Sequence, residues 1–196
     1  MRRTGRVWAT VLALASLTLG SAALPAQTAR ARTGTVCPTG WGAFAKTRSV
    51  YTATPLVNVR TGRRDCFDRM VVEVAGADGS ELGYSVRYVD GLYQHGSGDF
   101  IPVSGGAIIE IVVHAPAYDT STGTPTYSAL PGRSLPGVNL AGYRTFRDAR
   151  FAGSLEGRAQ FGLGVRARLP FRVLALDDRV VVDVAHTWRV AEAGTR

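Results

Sequence analysis

Arg166, Arg168 and Arg172 are the densest set of groups suited to binding chemistry. They fall on one parity of the run 165–173 together with Pro170, while Val165, Ala167, Leu169, Phe171 and Val173 take the other. In a strand one parity is one face, and successive side chains on it stand about 6.6 Å apart. Guanidiniums in such a row can meet carboxylates or phosphates through paired N–H donors. The plainer reading is a solvated strand face with ordinary cross-strand partners. Tyr84, Tyr88, Tyr93, Tyr118, Tyr127 and Tyr143 add aromatic area that can stack on sugar rings, or else fill the core with a hydroxyl at its rim. The candidate ligand-binding set is therefore Arg166, Arg168, Arg172, Tyr84, Tyr88, Tyr118 and Tyr127.

Other constellations carry less. His95, His114 and His186 lie on separate segments with no i, i+2 pair, so no metal site is assigned. Asp119 to Gly123 and Asp177-Asp178 lack the carboxylate spacing of a calcium loop and read as turns. Ser154, two residues before Glu156, has no strand-to-helix elbow to activate it. No catalytic residue and no cofactor is assigned. A hydrolase would need a pocket holding a carboxylate pair, or a serine with a histidine.

These side chains need a scaffold, and the sequence states it twice. Asp68-Arg69-Met70-Val71-Val72-Glu73-Val74-Ala75 returns 110 residues later as Asp178-Arg179-Val180-Val181-Val182-Asp183-Val184-Ala185. In each copy the residues of one parity are apolar (Met70, Val72, Val74; Val180, Val182, Val184), and an Arg and a carboxylate stand on the other. That is the period-2 signature of a strand buried on one face, so both copies are expected as walls of one β core.

The ends set the address. Arg2, Arg3 and Arg6 precede an uncharged apolar run, residues 7–19, which is too short for the roughly 20 residues of a bilayer-spanning helix and has the form of a signal peptide. Residues 1–26 are read as that signal, with cleavage after Ala23, Ala26 or Ala31, and residues 27–36 as a disordered lead-in. Export leaves no stable membrane span. It also lowers the formal charge from +8 to +5 by removing three arginines. This balance mildly favours anionic surfaces such as a cell wall. No dense Lys/Arg run with interleaved aromatics argues for nucleic acid.

About 170 mature residues suffice for one domain, placed at residues 37–188 and followed by a tail, residues 189–196. In an exported chain, two cysteines read as a disulfide between Cys37 and Cys66, worth on the order of 3.5 kcal/mol in the chain-entropy model. The competing readings are two buried thiols or a metal site.

Strands are expected at 56–60 and 66–75 around a turn at 61–65, then at 83–89, 107–114, 145–151, 160–173 and 179–188. Trp41 and Phe44 are expected to plug the end of the core. The Pro-, Gly-, Ser- and Thr-rich stretch 115–142 is expected as a binding loop. With no sustained helical period, the class is all-β: a single sandwich of about 8–10 mostly antiparallel strands.

Several phrases resemble a known family: Thr61-Gly62-Arg63-Arg64-Asp65-Cys66-Phe67-Asp68-Arg69, Gly83-Tyr84-Ser85-Val86-Arg87-Tyr88-Val89, Ala115-Pro116-Ala117-Tyr118-Asp119, Gly142-Tyr143-Arg144-Thr145, residues 162–173 and Val182-Asp183-Val184-Ala185-His186. In this order they resemble the AMIN-like domain of secreted actinobacterial proteins. That family is similar to the β-sandwich AMIN modules of cell-wall amidases and secretins. The resemblance implies a non-catalytic module that binds or organises the cell envelope, with peptidoglycan or another anionic wall polymer as partner. It brings no residue-level site with it. The alternative is an accessory domain that binds a protein partner through an exposed edge strand.

Overall fold

The computed structural model describes residue 37 and residues 40–188. The signal peptide, the lead-in and the tail expected from the sequence lie outside the described residues. Eleven strands form antiparallel sheets: β1 (Lys46–Arg48), β2 (Asn58–Arg63), β3 (Phe67–Glu73), β4 (Tyr84–Val89), β5 (Leu92–Tyr93), β6 (Phe100–Ile101), β7 (Ala107–Val113), β8 (Phe146–Leu155), β9 (Arg158–Val165), β10 (Phe171–Leu176) and β11 (Arg179–Ala185). One sheet runs β1-β4-β7-β9-β8 and the other β10-β11-β3-β2, while β5 and β6 make a small hairpin. Among the described residues the helical content is a single 3-10 turn, Gly79–Glu81, and no helix is long and apolar enough to cross a membrane.

The two sequence copies are neighbours, and they pair with each other. In the β3/β11 register Met70 faces Val182 and Val72 faces Val180, which puts both valine series on the same inner face. The antiparallel register also sets the arginine of each copy opposite the acid of the other, Arg69 against Asp183 and Arg179 against Glu73. Arg69 grips Asp183 with two bonds, 2.6 and 2.9 Å long. The repeat is therefore complementary to itself, and cross-strand pairs of opposite charge favour this register over its neighbours.

Against that wall pack Ile109, Ile111, Phe161, Leu163 and Phe151 of the five-stranded sheet, in one continuous core. The outer face of β9 is closed as well. A Cβ on Gly162 would meet Leu92 at 2.3 Å, and one on Gly164 would meet the Ser104 carbonyl at 1.9 Å. These glycines let residues 92–104 lie flat on the sheet, which explains why β7 reads as a continuous apolar run: it is covered on both faces.

Three expectations are corrected. The stretch 160–173 is two strands, because the chain leaves β9 after Val165 and enters β10 in the other sheet at Phe171. Pro170 stands at the entry to β10 and has no N–H to give to a ladder. The first hairpin turns later than expected, since β2 runs on to Arg63. Phe44 is 84% exposed, and Trp41 lies against Phe67 and Arg172 on the outer side of the four-stranded sheet, so neither plugs the core. Residues 115–142, expected as a loop, form no strand and lie packed on the core. Ala115, Ala117, Tyr127, Ala129 and Leu135 are buried, and the Thr126 hydroxyl donates to the Leu56 carbonyl at 2.7 Å. Burial of these apolar side chains holds the stretch down as a wrap over the core.

Candidate functional site

Asp68 is the anchor of the site. It shares the parity of Met70 and Val72 and so points inward from the start of β3, where it is wholly buried. Its Oδ2 accepts the backbone N–H groups of Thr145 (2.6 Å) and Phe146 (3.2 Å), and its Oδ1 lies 3.1 Å from His186 Nε2. A buried carboxylate requires such partners, and here they come from two other chain segments. His186, just past β11, places its other ring nitrogen 3.2 Å from the Asp65 carbonyl and gives its backbone N–H to the Cys66 carbonyl at 2.9 Å. Cys66 is bonded to Cys37 with a Cα–Cα distance of 5.3 Å, which ties the start of the domain to the same spot.

The hydrogen-bond pattern fixes the protons. A carbonyl only accepts, so Nδ1 of His186 carries hydrogen and donates to Asp65. One further proton then lies between Nε2 and Asp68, and the pair as a whole is neutral. Both ring nitrogens are committed, and both oxygens of Asp68 are engaged by the protein itself. The pair is thus built to hold three segments together, not to pass a proton to a bound molecule.

Around it opens a cavity of about 600 Å³, lined by Arg63, Arg64, Asp65, Asp68, Gly142, Arg144 and His186 beside Cys37. Arg63 and Arg64 come from the end of β2 and its turn, and Arg144 from the approach to β8. Arg144 Nη1 reaches back to the Asp65 carbonyl (3.5 Å), while Arg63 Nη1 lies over Gly142, where a Cβ would come within 2.9 Å of it. Gly142 has φ +76, which glycine adopts without strain. The neighbouring Tyr143 donates its hydroxyl to Thr61 at 2.9 Å, and Thr145 accepts the N–H of Arg166 at 2.9 Å. The wall carrying Arg144 is held at both ends.

None of Arg63, Arg64 and Arg144 forms an ion pair among the described residues, whereas Arg60, Arg69, Arg87, Arg150, Arg158, Arg172 and Arg179 each have an acid. Counting three arginines, the Asp65 carboxylate and a neutral Asp68–His186 pair, the lining carries an excess of two positive charges.

The candidates read from the sequence are distributed otherwise. Arg166 donates to the His186 carbonyl and thereby supports the cavity wall from behind. Arg168 stacks on Tyr88 with its guanidinium carbon 4.7 Å from the ring centroid, and the two line a second cavity of about 380 Å³ with Asp90. Tyr88 also donates its hydroxyl to the Leu169 carbonyl at 2.7 Å and accepts the Leu169 N–H at 2.8 Å. Arg172 bonds buried Asp183 at 2.9 Å under Trp41. The three arginines share no strand face because β9 ends before them. Tyr84 packs half-buried against the core, and Tyr118 accepts the Gly157 N–H at 3.3 Å. Tyr127 is buried edge-on to Phe151 at 5.6 Å. Neither cavity is lined by Tyr118 or Tyr127. His114 is stacked on Tyr51 at 4.4 Å, while His186 does line the larger cavity, which sequence reasoning missed.

Outer strands limit the other reading. β1 has three residues, β2 presents Arg60 and Arg63, and β8 is bridged from Ser134 to Arg150. The apolar edge is β10, and the Gly79–Glu81 turn abuts its end, where Gly79 lies against the Asp177 backbone.

The sequence phrases 61–69, 142–145 and 182–186, far apart in the chain, each contribute residues to the large cavity. No curated protein and no solved structure matches the chain at a significant level. The sequence model of the AMIN-like domain matches residues 54–186, more than half of the chain and all eleven strands except β1, and the protein therefore belongs to the AMIN-like domain family.

Proposed function

We propose that this protein is an exported, non-catalytic module that binds the cell envelope, with peptidoglycan or another anionic wall polymer as its partner and the 600 Å³ cavity as its point of contact. The observation that carries the reading is the set of three arginines facing one cavity without a carboxylate partner. Seven arginines elsewhere in the fold are matched to acids, and guanidiniums without an acid at a concave site favour an anionic ligand. Membership of the AMIN-like family and the Cys37–Cys66 disulfide are consistent with a module of the envelope. The committed nitrogens of His186 support binding over hydrolysis.

Retention of the purified protein on isolated cell walls tests this reading. At low salt the protein is expected to sediment with walls and to be released as salt screens the contact. Equal recovery in the supernatant with and without walls would overturn it. A second arm, turnover of wall fragments followed by product analysis, is expected to show no cleavage.

A further inference from the structure

We infer that the group taken by the large cavity is a phosphate ester, not a carboxylate; this rests on the envelope reading above and narrows it to one ligand chemistry. A carboxylate has two oxygens in one plane, and in this fold Asp183 shows what one takes: two guanidiniums, Arg69 and Arg172. Here three forks come from two walls. Arg63 lies over Gly142 and Arg144 reaches back to the Asp65 carbonyl, so each crosses to the segment that carries the other, and Arg64 lines the same cavity from the turn. An anion that engages all three must offer acceptors in several directions, as tetrahedral phosphate does.

Asp65 is part of the cavity lining, yet its carboxylate forms no ion pair with any of the three arginines. Asp68, the second carboxylate, is wholly occupied by two backbone N–H groups and His186. Arg64 donates to the Arg63 carbonyl and Arg144 to the Asp65 carbonyl, and among the described residues no acid pairs with any of the three. Their excess of two positive charges suits one phosphate monoester or adjacent diesters. A volume of about 600 Å³ exceeds a bare phosphate and leaves room for the flanking polyol or sugar. Polyol-phosphate wall polymers and phospholipid headgroups share this chemistry.

The test uses the purified full chain and four probes: native walls, walls stripped of phosphodiester polymers by hydrofluoric acid, glycerol-phosphate oligomers, and anionic phospholipid vesicles. Glycerol-phosphate oligomers are expected to bind, and Arg144→Ala or the double change Arg63→Ala with Arg64→Ala is expected to weaken that binding about tenfold or more. Arg133→Ala removes an equal charge from an exposed site outside the cavity and is expected to leave binding within twofold. Stripped walls are expected to retain less than about a tenth of what native walls retain, on the same tenfold criterion.

Equal retention by native and stripped walls would overturn the phosphate assignment while leaving envelope binding intact. Oligomer binding without wall retention would support the assignment and remove the envelope reading. Vesicle binding that depends on Arg144 would support the same chemistry with a lipid as its source. A loss from Arg133→Ala equal to that from Arg144→Ala would overturn the cavity as the site.

Discussion

Asp68 offers a test in which two substitutions of one side chain must part company. Asp68→Ala strands two buried backbone N–H groups, those of Thr145 and Phe146, and leaves His186 Nε2 without its partner. An unsatisfied buried donor costs about 1–3 kcal/mol, and breaking a buried charge pair costs about 3–5 kcal/mol. The expected loss is thus about 4 kcal/mol, or roughly 8–16 °C in melting temperature for a domain of this size. Asp68→Asn differs. Its amide oxygen can still accept both N–H groups, and its NH₂ can donate to Nε2 while His186 keeps hydrogen on Nδ1 for the Asp65 carbonyl. All the hydrogen bonds survive with a neutral ring, and the expected loss is about 1 kcal/mol. Urea unfolding with the disulfide intact, compared at constant m, reads both values. If Asn is as damaging as Ala, or if Ala costs less than about 1 kcal/mol, the proton assignment and the anchoring role of Asp68 are both wrong.

Three further outcomes follow from other sites. Tyr127 has a buried hydroxyl with no partner among the described residues, and burial pushes its phenol up to about 12; Tyr127→Phe should therefore stabilise the fold by about 1 kcal/mol, read as a higher urea midpoint. Gly164→Ala drives a Cβ into the Ser104 carbonyl and should cost about 3 kcal/mol, lifting residues 92–104 from the sheet so that their amides exchange faster. Burial is the main cause that holds His114 below its usual value, although the Val50 carbonyl opposes it. Its neutral form is favoured in the fold, so its stabilising contribution is complete above pH 6.5 and is lost as pH falls through the depressed value. Melting temperatures from pH 7.5 down to 5 should drop less for His114→Gln than for the wild type.

The sandwich was legible because its strongest signal is local. Alternation in 68–75 and 178–185 marks two half-buried strands without any knowledge of their neighbours, and the Arg and acid positions even contain their mutual register. The row Arg166, Arg168 and Arg172 misled for the same reason. Alternation persists across the crossing from β9 to β10, and a one-dimensional period cannot show that the chain has changed sheets there. The cavity was out of reach for a different cause. Arg63, Arg64, Arg144 and His186 come from three segments, and each looks like an ordinary turn or strand end. Their signal lay in the phrases that carried the family resemblance, three of which meet at this place, whereas Tyr118 and Tyr127 drew notice as aromatics set in a Pro- and Gly-rich stretch that reads as a binding loop.

Cys66 has a bearing beyond stability. Through its sulfur it holds Cys37, where the domain is entered, and through its carbonyl it holds His186, near where the domain is left. Entrance and exit thus share one corner, and that corner is the rim of the arginine cavity. A ligand held by the arginines would therefore bear on both ends of the described domain at once.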